Sequence, residues 1–261
     1  MNGVGSAPLA LSGRTAIVTG ASSGIGLATA RLFAQSGARV HGLARRREVM
    51  EEGIGERLLS GGAFVPHAVD VSDRAAIDAL VGKLAGQGSI DVIVCAAGIN
   101  FERRRFDQLT ADGWDDLIAI NLSGAFYVVH AALPALRESR GDVVAIASVS
   151  GSWPDVSGAA YQASKAGMIA LTRAVGFEEH QNGVRCCVIN PGIVDTPILE
   201  RRPEPPPREV RDASLKPEDV AAACLFAVTL PARATVSELT MVPSAIQALG
   251  KTNIASPPPS G

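Results

Sequence analysis

The stretch TAIVTGASSGIGLATARLFAQ, residues 15–35, decides the fold class of this chain. It begins with a short apolar run, TAIVT, and ends with LATARLFAQ, whose apolar residues recur at helical spacing. Between the two lie Gly20, Gly24 and Gly26, so a predicted strand passes through a glycine-rich turn directly into a predicted helix. This order indicates the first unit of a parallel sheet covered by helices.

The alternation of short Val- and Ile-rich runs with longer helical patterns continues along the chain and predicts one α/β domain. The predicted strands are 15–19, 38–44, 64–69, 91–96, 142–148, 184–190 and 236–242. The predicted helices are 24–36, 46–59, 73–86, 111–137, 158–182 and 216–230. Segment 197–215 holds a proline cluster that excludes a regular helix, so we expect either a mobile loop or a flap over a cleft.

Composition restricts the class of protein. The 261 residues carry a formal net charge of −2, and 47% of them are hydrophobic. These values exclude a disordered chain and a strongly basic surface for nucleic acid. Both ends are rich in Gly, Ser, Ala and Pro, so we expect flexible segments at 1–12 and 246–261 around one folded domain at 13–245.

Cysteine spacing and targeting signals bear on location. No CxxC spacing and no nearby histidine accompany the cysteines, so we expect reduced thiols and no metal site at Cys95, Cys186, Cys187 and Cys224. The first residues lack a basic segment before an apolar core, and no stretch approaches 18 uncharged apolar residues. We therefore expect a cytoplasmic protein that binds neither membrane nor nucleic acid.

The glycine turn is suited to an anionic ligand. Without Cβ atoms, backbone N–H groups and the positive end of the following helix can approach a pyrophosphate closely. The alternative is a tight turn that binds no ligand. The predicted dinucleotide contacts are Gly20, Ser22, Ser23, Gly24, Ile25 and Gly26.

The end of the second predicted strand, GLARRRE, indicates which dinucleotide is preferred. Ala44 stands where NAD-selective sites of this architecture place an acid, and Arg45 follows where a 2′-phosphate would lie. The pattern favours NADP over NAD. The alternative is that Arg45, Arg46 and Arg47 form a solvated first turn of a helix, although arginine there opposes the helix dipole.

Further strand ends are predicted to line the cofactor. Asp70, beside Val71, either accepts a hydrogen bond from the adenine amino group or is a turn residue. Ala97 and Gly98 are small enough for a ribose to pass closely, or simply pack tightly. A turn after the sixth strand and the residues that follow it are predicted to hold the nicotinamide carboxamide; they are Pro191, Gly192, Ile193 and Thr196. The alternative for Thr196 is that it caps a helix.

YQASK, residues 161–165, is the candidate catalytic segment. On a helix, Tyr161 and Lys165 share one face. A neighbouring ammonium lowers the pKa of a tyrosine, which would let Tyr161 exchange a proton with an alcohol or a carbonyl oxygen. The alternative is a pair of surface neighbours.

Ser148 precedes Tyr161 by 13 residues, which leaves room for a loop and the first helical turn. Its hydroxyl is predicted to face Tyr161 and to hold the reacting oxygen. Ser150 is the rival, because residues two apart on a strand point to the same side. Asn121 lies in an apolar helical pattern and is either a buried amide bonded to backbone or the holder of a water that links Lys165 to solvent.

Six features of the chain, taken together, resemble the short-chain dehydrogenase/reductase family in order and spacing, over about residues 13–245. They are TGASSGIG, CAAG, Asn121, Ser148, YQASK and NPGIVDTP. The resemblance implies a single Rossmann-type, doubly wound domain and reversible NADP-linked interconversion of an alcohol and a carbonyl compound. It also implies a catalytic set of Asn121, Ser148, Tyr161 and Lys165, with Tyr161 as general acid/base and Lys165 on the nicotinamide ribose. A homodimer or homotetramer joined through the helices at 111–137 and 158–182 is the implied assembly.

The chain departs from the family pattern at three places. CAAG replaces the usual NNAG, so Cys95 and Ala96 supply no side-chain amides there. Ser23 stands where many NADP-dependent relatives are basic, which leaves phosphate binding mostly to Arg45. The segment LPARATVSELTMVPSAIQ replaces the common ending and is similar to relatives that oxidise 3-hydroxy acids or serine-like substrates.

The expected function is that of an NADP-dependent oxidoreductase of small alcohols, such as 3-hydroxy acids, and their carbonyl products. Residues 149–158 and 197–215 are expected to hold the substrate, with Trp153 as a wall and Arg201, Arg202 or Arg208 for a carboxylate. One alternative is a catalytically silent NADP-binding regulatory or interaction protein. A methyltransferase on a similar fold is another, but it gives Tyr161 and Lys165 no role.

Overall fold

The computed structural model describes residues 9–247 and contains one seven-stranded parallel sheet. The spatial order of the strands is β3-β2-β1-β4-β5-β6-β7. Strands β2 and β3 therefore extend the sheet to one side of β1, and β4 to β7 extend it to the other side, with the reversal between β1 and β4. Ligands of such sheets bind at the carboxyl ends of the strands beside that reversal. The strands are β1 (Thr15–Thr19), β2 (Arg39–Ala44), β3 (Phe64–Ala68), β4 (Val92–Cys95), β5 (Asp142–Ile146), β6 (Arg185–Pro191) and β7 (Glu238–Met241).

Helices cover both faces of the sheet, which confirms the predicted doubly wound α/β fold. They are α1 (Gly24–Gln35), α2 (Arg47–Ile54), α3 (Glu56–Ser60), α4 (Arg74–Ala85), α5 (Ala111–Ile118), α6 (Gly124–Ser139), α7 (Ala159–Glu179), α8 (Arg208–Asp212) and α9 (Pro217–Thr229). Alternate residues of β1 serve opposite cores. Ala16 and Val18 belong to the core under α1 and α9, and Ile17 belongs to the core under α4, α6 and α7.

Three elements differ from the prediction. The helix expected at 46–59 is two short helices, because Gly55 adopts φ +90° between them. The helix expected at 111–137 widens into one π-helical turn at Ala119–Ser123. Segment 197–215 is partly regular, with a 3-10 turn at Pro197–Arg201 followed by α8, and it lies against the cleft as a flap.

The amino-terminal stretch joins the fold earlier than the sequence predicts. Residues 1–8 and 248–261 lie outside the described residues, as do most of the two segments expected to be flexible. Leu11, however, is fully buried, and its N–H donates to the Ser36 carbonyl over 2.8 Å. Residues 9–12 therefore pack as part of the domain.

A buried carboxylate ties the amino edge of the sheet together. Asp142, at the start of β5, accepts hydrogen bonds from Arg14 Nη2 at 2.6 Å and from Arg185 Nε at 2.7 Å. Arg14 also donates to the carbonyls of Asp91 and Val228. The cluster thereby links β1, β5, β6 and the end of α9 at the edge of the sheet opposite the cleft.

The cysteines are all buried. Burial raises the pKa of the thiols of Cys95, Cys186 and Cys224 to about 12 and that of Cys187 to about 11. Each thiol therefore stays protonated near neutral pH and is a poor nucleophile. Among residues 9–247, no three His, Cys, Asp or Glu side chains are grouped to hold a metal ion.

The helical run 111–139 is long and apolar enough to cross a membrane by length and composition, with a mean hydropathy of 1.6 in its most apolar window. The sequence prediction concerned an unbroken run of uncharged apolar residues, and this helical run is interrupted by the polar residues Asn121, Ser123 and His130. Core helices of soluble proteins pass the same test, and 39% of that window is buried here. Part of the exposed remainder is the apolar surface of Phe126.

A pair of histidines joins β2 and β3. His41 Nδ1 lies 2.9 Å from His67 Nε2, and His41 is 5% exposed. Burial, followed by the charges of His67 and Arg39, lowers the pKa of His41 from 6.5 to about 4. Between pH 6.5 and about pH 4, His41 therefore binds fewer protons in the folded chain than in the unfolded chain. This contribution to stability is complete above pH 6.5 and is lost as the pH falls towards 4.

We expect the free energy of unfolding to fall between pH 7.5 and pH 5.0, and to fall less in a His41→Gln variant. Urea unfolding at both pH values measures the difference. His130→Gln, at an exposed histidine on α6, is the control and should keep the wild-type pH dependence. An equal loss of stability in the wild type and in His41→Gln would contradict the expectation.

Candidate active site

A cavity of about 340 Å³ lies at the carboxyl ends of the strands. Every predicted cofactor-binding residue and three of the four predicted catalytic residues line it. They are Gly20, Ser22, Ser23, Gly24, Ile25, Gly26, Arg45, Asp70, Val71, Ala97, Gly98, Ser148, Tyr161, Lys165, Pro191, Gly192, Ile193 and Thr196. Segments far apart in the sequence therefore meet around one space, as the predicted parallel sheet requires.

Two glycines of the turn have no room for a side chain. Gly20 has a φ of +68°, and a Cβ there would lie 2.8 Å from the Ala96 carbonyl oxygen. A Cβ on Gly26 would lie 2.4 Å from the Gly20 oxygen. The Ser23 side chain makes no capping hydrogen bond to α1. The amino end of α1 therefore meets the cavity with backbone N–H groups, which suits a pyrophosphate.

Thr19 holds the segment that follows β4. Its Oγ1 accepts hydrogen bonds from the N–H groups of Ala96 at 3.0 Å and Ala97 at 3.1 Å. These bonds fix the CAAG segment beside the glycine turn without the side-chain amides of the usual NNAG. Thr19 is not among the residues predicted from the sequence, although its position as the last residue of β1 was an available signal.

The end of the cavity predicted to hold the adenosine contains Arg45 and Asp70. Asp70 Oδ1 accepts from the backbone N–H of Ser72 at 2.9 Å and from its hydroxyl at 2.7 Å, so Asp70 is a turn residue. Burial alone would raise the pKa of Asp70, but the Ser72 hydrogen bonds and the charge of Arg45 hold it below its ordinary value. Arg47 pairs with Glu51 at 2.7 Å, as the solvated-turn alternative predicts for that arginine.

Tyr161 and Lys165 lie one turn apart on α7, with Lys165 Nζ 5.6 Å from the centre of the Tyr161 ring. The ammonium donates to the Ile146 carbonyl at 2.8 Å, and its burial lowers the pKa of Lys165 to about 8. Burial raises the pKa of Tyr161 to about 12, although a hydrogen bond with Ser148 opposes this rise. The prediction that Lys165 lowers the pKa of Tyr161 is therefore wrong for this structure, because desolvation of the phenol dominates.

Ser148 and its rival Ser150 are both buried, and both line the cavity. Ser148 Oγ donates to Ser150 Oγ over 3.1 Å, and Ser150 Oγ donates to Asp155 Oδ2 over 2.5 Å. Asp155 therefore holds Ser150, whereas Ser148 interacts with Tyr161. Asp155 was missed by the sequence analysis, which treated residues 149–158 only as a substrate segment.

Asn121 does not point into the cavity; it is fully buried in the π-helical turn. Its Oδ1 accepts from the Ile99 N–H at 2.8 Å, and its Nδ2 donates to the Ile99 carbonyl at 3.0 Å and to Ser164 Oγ at 3.2 Å. Both amide hydrogens are thus engaged, as the buried-amide alternative predicts. Its role in a water relay stays a prediction.

Known proteins of one family are similar to this chain over most of its length. A model of the short chain dehydrogenase family matches residues 14–206. The chain belongs to the short-chain dehydrogenase family. This membership confirms the sequence resemblance and makes the protein an NAD(P)-binding oxidoreductase that acts on CH–OH groups.

Several relatives of this short-chain dehydrogenase cover almost its whole length. An uncharacterized oxidoreductase of Staphylococcus aureus (strain MW2) is 35% identical, with 89% of this chain and 98% of the relative covered. A metagenomic short-chain oxidoreductase solved with NADP has 32% identity and a TM-score of 0.76, covering 89% of this chain and 98% of that one. An alcohol dehydrogenase of the archaeon Thermococcus sibiricus, solved with 5-hydroxy-NADP, has 28% identity and a TM-score of 0.78, with 88% and 97% covered.

The predicted nicotinamide end of this short-chain dehydrogenase holds a side chain that the sequence analysis missed. The Ile193 N–H, predicted to bind the nicotinamide carboxamide, donates to Gln247 Oε1 at 2.8 Å. Gln247 is 8% exposed and belongs to the segment predicted to be flexible. Its carboxamide has the same donor and acceptor groups as nicotinamide, so a bound nicotinamide could use this N–H only after Gln247 moves away. Thr196 bonds to the Val194 carbonyl at 3.3 Å and makes no side-chain cap.

The flap brings cationic side chains to the end of the cavity predicted to hold the substrate. Arg201 and Arg202 line it, whereas Arg208 is 89% exposed and pairs with Asp212. Of the three arginines predicted for a carboxylate, Arg208 is therefore excluded by position. Trp153, the predicted substrate wall, is half-buried and is absent from the cavity lining within the described part of the chain.

Proposed function

We propose that this short-chain dehydrogenase is an NADP(H)-dependent oxidoreductase that interconverts a small hydroxy compound, such as a 3-hydroxy acid, and its carbonyl form. The supporting observation is that Ser148, Tyr161 and Lys165 share one cavity with the glycine turn. A bound dinucleotide would thus extend from the turn to the catalytic side chains. The solved relatives with NADP and 5-hydroxy-NADP support the choice of cofactor.

The chain's own groups suit proton transfer to a carbonyl oxygen. NADP(H) would supply or accept the hydride. A phenol whose pKa lies near 12 carries its proton at neutral pH, so Tyr161 can donate that proton to the oxygen of a carbonyl compound. Ser148 would share the same oxygen and fix its position. Lys165, buried beside the ring, is the group that would hold the nicotinamide ribose and support Tyr161 when an alcohol is oxidised.

Asn121 acts on this site through the backbone. Its amide fixes both the N–H and the carbonyl of Ile99, next to Gly98, where a Cβ would lie 3.6 Å from Lys165 Nζ. The π-helical turn therefore positions the Gly98–Ile99 backbone beside Lys165. This placement supports a positioning role for Asn121. The proton-relay role is proposed for the same residue.

A turnover assay separates this proposal from the alternative of a silent NADP-binding protein. Nicotinamide absorbance would be followed over aldehydes, ketones and hydroxy acids with the full chain. An enzyme of the proposed kind turns over at least one class with NADP(H). Cofactor binding with no turnover of any class would favour the silent protein instead.

Arg45 is proposed to bind the 2′-phosphate. We expect Arg45→Ala to lower kcat/KM for NADPH about 10- to 100-fold, since a hydrogen bond to a charged group contributes about 1.5–3 kcal/mol. The value for NADH should change little, because that cofactor lacks the phosphate. Parallel kinetics with both cofactors measure the ratio.

Arg47→Ala is the matched control, because Arg47 already pairs with Glu51 on α2. It should leave the NADPH to NADH ratio near the wild-type value. If Arg45→Ala weakened both cofactors equally, or if the wild type preferred NADH, Arg45 would not be the phosphate ligand.

The oligomeric state and the cellular location are also proposals. We propose a homodimer or homotetramer joined through α5, α6 and α7. Large apolar side chains are exposed on these helices, with 39% of Trp114, 44% of Phe126 and 78% of Phe177 accessible. The buried, protonated thiols fit the proposed cytoplasmic location.

A further inference from the structure

A buried arginine lies at the substrate end of the cavity. Arg104, in the loop between β4 and α5, is 6% exposed and lines the same space as Tyr161. Its Nε donates to the Phe101 carbonyl at 2.7 Å and its Nη2 to the Arg201 carbonyl at 2.5 Å. Arginine is rarely buried without a charged partner, and these two bonds go to neutral acceptors.

The two backbone bonds fix the guanidinium without using all of it. A guanidinium has five N–H donors in one plane. Two of them hold the loop and the flap, so the side chain has one defined orientation against the cavity. A planar group held in this way is suited to a carboxylate, which can accept two parallel hydrogen bonds from it.

A second guanidinium faces the same space. Arg202, in the flap, lines the cavity, and its charge and that of Arg104 repel each other: burial first, and then Arg202, lower the pKa of Arg104. The opposing charges near Arg104 are those of the Asp155 and Glu102 carboxylates. Asp155 accepts hydrogen bonds from Ser150 and from the Ser157 N–H, and its single negative charge acts on both arginines. An anionic ligand between the two arginines would reduce their repulsion.

We propose that Arg104, with Arg202 beside it, binds the carboxylate of the substrate, so that the preferred substrates are small hydroxy acids and the matching oxo acids. This proposal rests on the proposed oxidoreductase function and adds the group that selects among its substrates. Binding the acid at this point fixes the substrate at a second place, while Ser148 and Tyr161 hold the reacting oxygen. Arg104 is thus a specificity-determining residue.

Matched acid and ester substrates test the proposal. Reduction of acetoacetate and of methyl acetoacetate by the full chain with NADPH would be compared, because the two differ only in the charged group. We expect the wild type to favour the acid about tenfold or more in kcat/KM, in line with a charge-assisted hydrogen bond. Arg104→Gln should remove that preference by raising KM for the acid more than KM for the ester.

Arg105→Gln is the matched control, since its side chain is 76% exposed and pairs with Asp107 outside the cavity. It should behave as the wild type with both substrates. Because Arg104 also holds the flap, a second variant, Arg202→Gln, would be measured, and it should move the acid-to-ester ratio in the same direction. Equal losses for acid and ester in both variants would show a structural role and overturn the proposal, as would a wild type that reduces both substrates equally well.

Direct binding separates this proposal from the oxidoreductase proposal. Calorimetric titration of acetoacetate into the full chain with NADP present should show binding that Arg104→Gln weakens about tenfold. If the acid binds in this way but no compound is turned over, the oxidoreductase function fails and the carboxylate site stands. If simple neutral aldehydes are reduced but the acid does not bind, the carboxylate site fails.

Discussion

Tyr161→Phe is expected to lower kcat for carbonyl reduction about 10³-fold, within the range of about 10²–10⁴ attributed to a positioned general acid. The phenyl ring keeps the packing of Tyr161 on α7 beside Lys165, whose Nζ lies 5.6 Å from the ring centre. Only the proton donor is removed. The dissociation constant for NADP(H) should therefore stay near its wild-type value.

Tyr127→Phe is the natural control, because Tyr127 on α6 is the chain's second tyrosine and is not part of the cavity lining. It should retain wild-type turnover. Steady-state kinetics would be measured together with cofactor binding by fluorescence. Unchanged turnover in Tyr161→Phe would refute Tyr161 as the general acid. A loss of affinity for the cofactor in the same variant would show that Tyr161 contributes to cofactor binding rather than only to proton transfer.

Asp142→Ala is expected to lower the free energy of unfolding by about 3 kcal/mol, at the lower end of the range for breaking a buried ion pair. The Asp142 side chain is 5% exposed and accepts from both Arg14 and Arg185. Its removal leaves two guanidinium groups facing each other with only backbone carbonyls as partners. The expected loss lies at the lower end of that range because Arg14 and Arg185 are 25% and 15% exposed, so that solvent screens part of their charge.

Urea unfolding measures this loss, and the melting temperature should fall by roughly 6–12 °C for a chain of this size. Asp78→Ala is the control, since the Arg74–Asp78 pair on α4 is exposed and separated by 3.4 Å. It should change stability by less than about 1 kcal/mol. The cluster lies opposite the cleft, so kcat at low temperature should be unaffected. A loss of activity without a loss of stability would contradict this assignment.

The site features that the sequence predicts are those carried by local spacing. Gly20 and Gly26 directly follow a strand, and Tyr161 and Lys165 share one helical face, so backbone geometry alone places them beside a cleft. Parallel strands then bring their carboxyl ends together. For this reason Arg45, Asp70 and Ser148 also lie at the predicted edge, although the strand order could not be derived from spacing.

The features that the sequence does not predict depend on contacts between distant segments. Arg104 is the middle of three consecutive arginines, and only the packing of the flap distinguishes it from its neighbours. Gln247 reaches Ile193 from a segment of low-complexity composition. The pKa of Tyr161 depends chiefly on desolvation, which the spacing of Tyr161 and Lys165 does not reveal.

The burial of every thiol has a practical consequence for work with this enzyme. Maleimide and iodoacetamide react with exposed thiolates, and all four native cysteines are buried with a pKa near 11 or 12. A single cysteine introduced on the flap could therefore be labelled with a fluorophore without first removing the native ones. Such a probe would report flap motion while the native core stays intact.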